Sequence, residues 1–232
     1  MSRKRQFCGA VCLTAALLCF GLAVRTRWEY RAERSRYERV REEMLEKTEE
    51  PEAIEIASVS EGQKTGVSWN APFVVEEEEL SAKNSDYACW IYIPGTTVNY
   101  PVTWREADNV FYLNHGFDGE KARCGSLFAD GCYEPFSEKV TVIHGHNMRD
   151  GSMFGSLKQY LNRDILQEFP YIYVCRAGVW RRFVVSDCLV RSVGELFDGL
   201  LETEREELLL VTCRGERRRL IVRAFLDEGE MQ

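Results

Sequence analysis

From Asp86 onward the sequence is a succession of short β-type runs, rich in Val, Ile, Tyr and Phe, each closed by turn residues. We read strands at Tyr87–Ile93, Thr97–Val102, Gly125–Ala129, Val140–Gly145, Tyr171–Arg176, Val179–Val190, Leu208–Cys213 and Arg217–Leu226. Eight strands in about 140 residues bury their apolar faces only by closing on themselves or by packing as two sheets. The expected fold is therefore mainly β, a closed eight-stranded barrel with short peripheral helices. Helical spacing is expected at Arg105–Leu113, Met153–Leu161 and Gly194–Arg205. In the last of these, Leu196, Phe197, Leu200 and Leu201 fall on one helical face.

The chain before this region has a different character. Phe7 to Val24 runs for eighteen residues without a charge, flanked by Arg3, Lys4 and Arg5 on one side and Arg25 and Arg27 on the other. That length is close to what a hydrocarbon core of about 30 Å requires. We read residues 1–6 as a cytoplasmic tail and 7–24 as a transmembrane anchor; a cleaved signal peptide ending at Gly21-Leu22-Ala23 is the alternative. Residues 25–50, dense in Arg and Glu with Tyr30, Tyr37 and Met44 at seven-residue intervals, read as a juxtamembrane helix. Residues 51–79 read as a linker, and 80–232 as the folded domain.

A net charge of −7 with no basic domain argues against nucleic acid as the main partner. Of nine cysteines, Cys8, Cys12 and Cys19 lie within the apolar segment. The others lack the paired spacing of a zinc site, although Cys124 and Cys132 are close enough in sequence to form a disulfide in an extracellular domain.

Three features carry chemistry. The strand Leu208–Cys213 ends in a thiol, and a cysteine at a strand end can reach a cleft from a rigid base; the competing reading is a buried core cysteine. Arg217, Arg218 and Arg219 open the next strand, so a hairpin returns at least one guanidinium to the thiol, where it favours thiolate and can hold an oxyanion. Alternation puts Arg218 with core Leu220, Val222 and Ala224, and turns Arg217 and Arg219 the other way. In His144-Gly145-His146, two of the chain's three histidines share one face of an extended segment. A metal site would need a third ligand, for which only Cys213 and scattered carboxylates are available. A His, a Cys and an Arg at the ends of separate strands fit nucleophilic catalysis better.

These segments, taken in order, resemble the sortases, and within them class B. The resemblance runs through Trp90-Ile91-Tyr92-Ile93-Pro94-Gly95-Thr96, Val98-Asn99-Tyr100-Pro101-Val102 and Asp108 to His115. It continues through Gly125 to Asp130, Gly145-His146-Asn147-Met148, Gly151-Ser152-Met153-Phe154 and Val211-Thr212-Cys213, covering about Leu80 to Leu226. It implies a membrane-anchored cysteine transpeptidase of a Gram-positive surface, with the N-terminus inside and the catalytic domain outside. Such an enzyme needs no metal or organic cofactor. It cleaves a sorting signal of the form Leu/Asn/Ser-Pro-x-Thr-Gly/Asn in secreted proteins, and transfers the acyl group to an amine of peptidoglycan or of a pilin. By the same resemblance Cys213 is the nucleophile, His146 the acid and base, and Arg219 the oxyanion partner, with Arg217 as a substitute because the turn is short. Asn109, Leu113, Thr212 and His144 are expected to line the peptide groove, His144 standing where class B enzymes often carry Tyr. His115 is expected to be structural, and Arg214 stands where an acidic residue is common. A hydrolytic cysteine peptidase using the same groups and a catalytically silent tethered binding module are the competing readings.

Overall fold

Period-two burial is clearest along Val140–Gly145 in the computed structural model, which describes residues 18–22, 24, 25, 28, 31, 32, 35–43 and 70–228. The strands are β1 (Tyr87–Tyr92), β2 (Asn99–Thr103), β3 (Leu127–Ala129), β4 (Val140–Gly145), β5 (Tyr171–Arg176), β6 (Val179–Ser192), β7 (Glu207–Cys213) and β8 (Arg218–Leu226). They close into a barrel in the order β1-β2-β3-β4-β7-β8-β6-β5, with β5 returning to β1. Most neighbours are antiparallel. Two pairs, β2–β3 and β4–β7, are parallel.

The parallel β4–β7 pair matters most for function. Because β5 and β6 intervene in sequence but not in space, β7 lies between β4 and β8. Along β4 the burial alternates, with Thr141, Ile143 and Gly145 turned inward. β7 is buried at every position but its last, because both of its faces are covered. Leu208, Leu210 and Thr212 share the inner face with their β8 partners Ala224, Val222 and Leu220. Leu209 and Val211 point outward, where with Ile221 they are covered by Leu196, Phe197 and Leu200 of the β6–β7 connection. Burial of that outer patch holds the connection against the barrel through the hydrophobic effect.

The helical expectations were too generous. At Arg105–Leu113 only Phe111–Leu113 is helical, as a 3-10 turn. Ala107 is left-handed (φ 56°), and the Asp108 carboxylate accepts from the N–H groups of Val110 and Phe111, a local turn that competes with a helix. Met153–Leu161 is a 3-10 segment from Gly155, preceded by left-handed Met153 (φ 51°). Gly194–Arg205 holds only a 3-10 turn at Val193–Glu195, and left-handed Gly199 (φ +66°) interrupts the helical pattern. The apolar spacing there marked Leu196, Phe197 and Leu200 as covered, but Leu201 is exposed and the backbone is not helical. Conversely, α1 (Glu77–Lys83) begins inside the segment expected to be linker. α2 (Arg163–Glu168) is an addition, started by Asn162, whose side chain accepts from the Asp164 N–H at 3.0 Å.

Cys124 and Cys132 are not joined in the expected disulfide, the first being buried and the second exposed. The chain divides into two units, Met1–Arg39 and Val40–Gln232. In the first, residues 18–22 and 35–39 are helical. Residues 1–17 and 44–69, with the expected tail, most of the expected anchor and most of the linker, lie outside the described residues. Among the described residues no helix is long and apolar enough to cross a membrane.

Candidate active site

Register fixes the geometry of the strand ends. β4 and β7 run in parallel with Gly145 opposite Thr212, and β7 runs antiparallel to β8 with Cys213 opposite Arg219. One step beyond the last β4–β7 pair, His146 follows Gly145 as Cys213 follows Thr212. His146, Cys213 and Arg219 therefore stand at the ends of three neighbouring strands, each about 4.8 Å from the next. The Thr212 hydroxyl, buried, donates to the Gly145 carbonyl at 2.7 Å and ties the two strand ends together. Across the end of β7, the Asn147 amide donates to the Cys213 carbonyl at 2.7 Å.

One cleft of about 250 Å³ is lined by all seven residues expected from sequence: Asn109, Leu113, His144, His146, Thr212, Cys213 and Arg219. Arg219 is the arginine in it. Arg217 sits in the exposed hairpin turn, and its carbonyl accepts from the Val193 N–H. His115 is outside the cleft, stacked on Phe111 with ring centres 4.0 Å apart.

The two histidines of the triplet have different partners. His146 Nε2 lies 2.6 Å from the Leu113 carbonyl oxygen, an acceptor, so that nitrogen carries a proton and donates it. His144 lies over Phe128, ring centres 5.3 Å apart, and its Nε2 is 3.1 Å from Asp130 Oδ2. The hydrogen bond from His144 holds the Asp130 carboxyl well below the usual carboxylate range, with help from the Cys132 N–H and against partial burial. Asn109 supports the same corner by accepting from the Gly131 N–H at 2.7 Å. Sequence reasoning had missed Asp130, Phe128 and Asn147. For Phe128 the signal was the alternation of β3 against β4, which pairs it with His144.

A model of the Sortase domain matches residues 91–227, more than half of the chain. The chain belongs to the sortase family. Sortase B of Listeria monocytogenes is 43% identical over 96 residues, and sortase B of Staphylococcus aureus 35% identical over the same length. Each match covers 41% of this chain and 39% of the relative, so the aligned stretch is about two fifths of the relatives' length. Among solved structures, Clostridium perfringens sortase B superposes with a TM-score of 0.60 at 26% identity, covering 65% of this chain and 99% of that one. These relatives agree with the class B resemblance.

Within this sortase barrel Cys89, Cys132, Cys175 and Cys188 are poorly suited to be nucleophiles. Burial pushes the Cys175 and Cys188 thiols up to about 12 and raises Cys89 further. Cys132 is raised by its hydrogen bond to the Asp130 carboxylate. A raised thiol pKa leaves less thiolate, the reactive form. Cys213 differs in place: exposed, at a strand end, in the cleft, opposite an arginine. A larger cavity of about 570 Å³, between the β3–β4 connection and Phe197, Leu201 and Thr203, meets the cleft at Asp130 but contains neither Cys213 nor a histidine.

Proposed function

We propose that the protein is a cysteine transpeptidase that cleaves a Pro-x-Thr type sorting signal and transfers the acyl fragment to an amine. The observation that carries this reading is the row of His146, Cys213 and Arg219 across three adjacent strand ends around one cleft, in a chain of the sortase family. The Cys213 thiolate attacks the Thr carbonyl, and Arg219 stabilises the oxyanion as the tetrahedral centre forms. Collapse breaks the peptide C–N bond and leaves a thioester on Sγ, with His146 protonating the departing amine. An incoming amine then adds to the thioester and gives its proton to His146. The second collapse forms the new amide and returns the thiolate. Asn109, Leu113, Thr212 and His144 form the surroundings in which the peptide is held.

In the same reading residues 7–24 anchor the chain in the cell membrane, with residues 1–6 inside and the barrel outside. The donors are secreted proteins bearing Leu-Pro, Asn-Pro or Ser-Pro signals, and the acceptor is an amine of peptidoglycan or a pilin lysine. The uncharged run and its basic flanks support the anchor.

The test is product analysis with a panel of these three signal peptides, with and without an amine acceptor. Acceptor-dependent transfer is expected, with a peptide adduct on Cys213. Cys213→Ala should abolish cleavage, and His146→Ala should lower it by about 10²- to 10⁴-fold. Release of free acid only, at high acceptor concentration, would make the protein a hydrolase. Full activity in Cys213→Ala would end the nucleophile assignment.

A further inference from the structure

The row of strand ends does not stop at Arg219. β8 pairs on its other side with β6, where Arg191 is directly opposite Arg219. Two residues along the same pair, Leu189 and Ile221 pack together on the outer patch. Residues two apart share a face, so Arg191 and Arg219 point to the same outer side as Cys213. The order across four strands is thus His146, Cys213, Arg219, Arg191.

Like charges placed directly opposite on neighbouring strands repel and destabilise the pair. Elsewhere on the barrel arginines are matched with carboxylates: Arg105 with Asp86, Arg176 with Glu134, Arg181 with Glu206, Arg182 with Asp227 and Arg223 with Glu207. Here they are not. Arg191 donates to the backbone carbonyl of Asp198 at 2.9 Å, and Arg219 to that of Arg218 at 3.0 Å. Among the described residues neither forms an ion pair with a carboxylate. In the adjoining turn Arg214, Arg217 and Arg218 outnumber Glu216 and leave a net positive charge. Two arginines set opposite each other by strand register, each with donors to spare, offer a seat for a carboxylate.

Resting on the proposed transpeptidation, we infer that Arg191, together with Arg219, binds a carboxylate side chain of the acyl-donor peptide close to its scissile bond. The donor is favoured over the acceptor by the order of the row. Both the leaving and the incoming amine must reach His146, on the β4 side of Cys213. The β8 and β6 side is then left for the carbonyl oxygen and one neighbouring side chain of the donor, while Asn109, Leu113, Thr212 and His144 hold the rest of the peptide in the cleft.

The experiment uses signal peptides that differ only by Glu or Gln, at the variable position between Pro and Thr or at the residue before the motif. Wild-type protein is expected to favour the Glu peptide at one of these positions by about tenfold in kcat/KM, as a charge-assisted hydrogen bond implies. In Arg191→Gln the ratio should fall to about one, and Arg191→Lys should restore part of it. A parallel arm compares diglycine with diglycine amide as acceptor, and no preference is expected. A ratio near one in wild type at both positions, or an unchanged ratio in Arg191→Gln, overturns the inference. A preference confined to the acceptor arm overturns the placement on the donor. Thermal unfolding of the peptide-free protein reads the repulsion by itself: Arg191→Gln should raise Tm by about 1 to 3 °C. A Tm that is lower in both Arg191→Gln and Arg191→Met overturns the frustrated pair. Cleavage of no peptide by wild type refutes the proposed activity and the donor with it, whereas cleavage without carboxylate preference refutes the inference alone.

Discussion

Replacing Gly145 with Ala tests whether the floor of the barrel sets the positions of the reacting groups. Gly145 is the inward-facing residue at the end of β4. A methyl group there would come within 2.4 Å of Leu127 Cδ2 and 2.8 Å of Phe154 Cδ2. Carbon atoms pack at about 3.5 to 4.0 Å, so both neighbours must retreat by the order of 1 Å. Neither has room, because Leu127 and Phe154 are each 0% exposed. Overpacking of this kind costs about 1 to 3 kcal/mol, which for a chain of this size lowers Tm by about 2 to 12 °C. The displacement also has a path to the chemistry. The Phe154 N–H donates to the His146 carbonyl at 3.0 Å, and the Gly145 carbonyl holds the Thr212 hydroxyl. A shift of about 1 Å between reacting groups is enough to cost about 10²-fold in rate. Thermal unfolding and peptide cleavage, the latter measured well below Tm, are therefore both expected to fall in Gly145→Ala. Gly194→Ala is the control, since a Cβ there meets nothing within 4 Å. An unchanged Tm in Gly145→Ala, or a lowered Tm with full activity, would refute the argument that this packing aligns His146 with Cys213.

Two further outcomes follow from individual contacts. Thr212→Val keeps the shape of the side chain but leaves the buried Gly145 carbonyl without its donor; a loss of about 1 to 3 kcal/mol is expected in urea unfolding at unchanged m, with Thr212→Ser near wild type. A midpoint for Thr212→Val equal to wild type would show that the hydroxyl does not tie β4 to β7. Asp130 has a folded pKa depressed by His144, so between that value and about pH 4 the unfolded chain binds more protons and stability rises with pH. Its contribution is complete above about pH 4 and is lost as pH falls toward the folded value. Asp130→Asn should flatten this acid limb in urea titrations, and equal slopes in the two proteins would refute it.

The fold was legible where burial is one-sided and periodic. Tyr171–Arg176 and Val140–Gly145 were bounded to the residue, and the other strands shifted by one or two residues at one end or both. The expected helices failed for local reasons. Asp108 satisfies two backbone N–H groups from its own side chain, and Gly199 adopts a left-handed backbone, effects that a helical spacing of apolar residues does not register. The spacing in Leu196, Phe197 and Leu200 reported that one side is buried, which a turn-rich connection accomplishes as well as a helix.

The candidate site was legible for a different reason. Each of the three groups proposed to react stands at or next to the end of a strand, and strand ends can be read from turn residues. What sequence does not carry is which ends are neighbours. His146 and Cys213 are brought together by a parallel pairing that skips β5 and β6, and that pairing also sets Thr212 against Gly145. Arg191 was invisible for the same reason: it lies at the far end of a long strand whose partner along that stretch is β8. Once the order β4-β7-β8-β6 is known, one row of side chains contains an imidazole, a thiol and two guanidiniums. The charge on that row increases away from the histidine. A substrate that places its amine at one end and an anion at the other would be oriented by the barrel register itself, before any side chain moves.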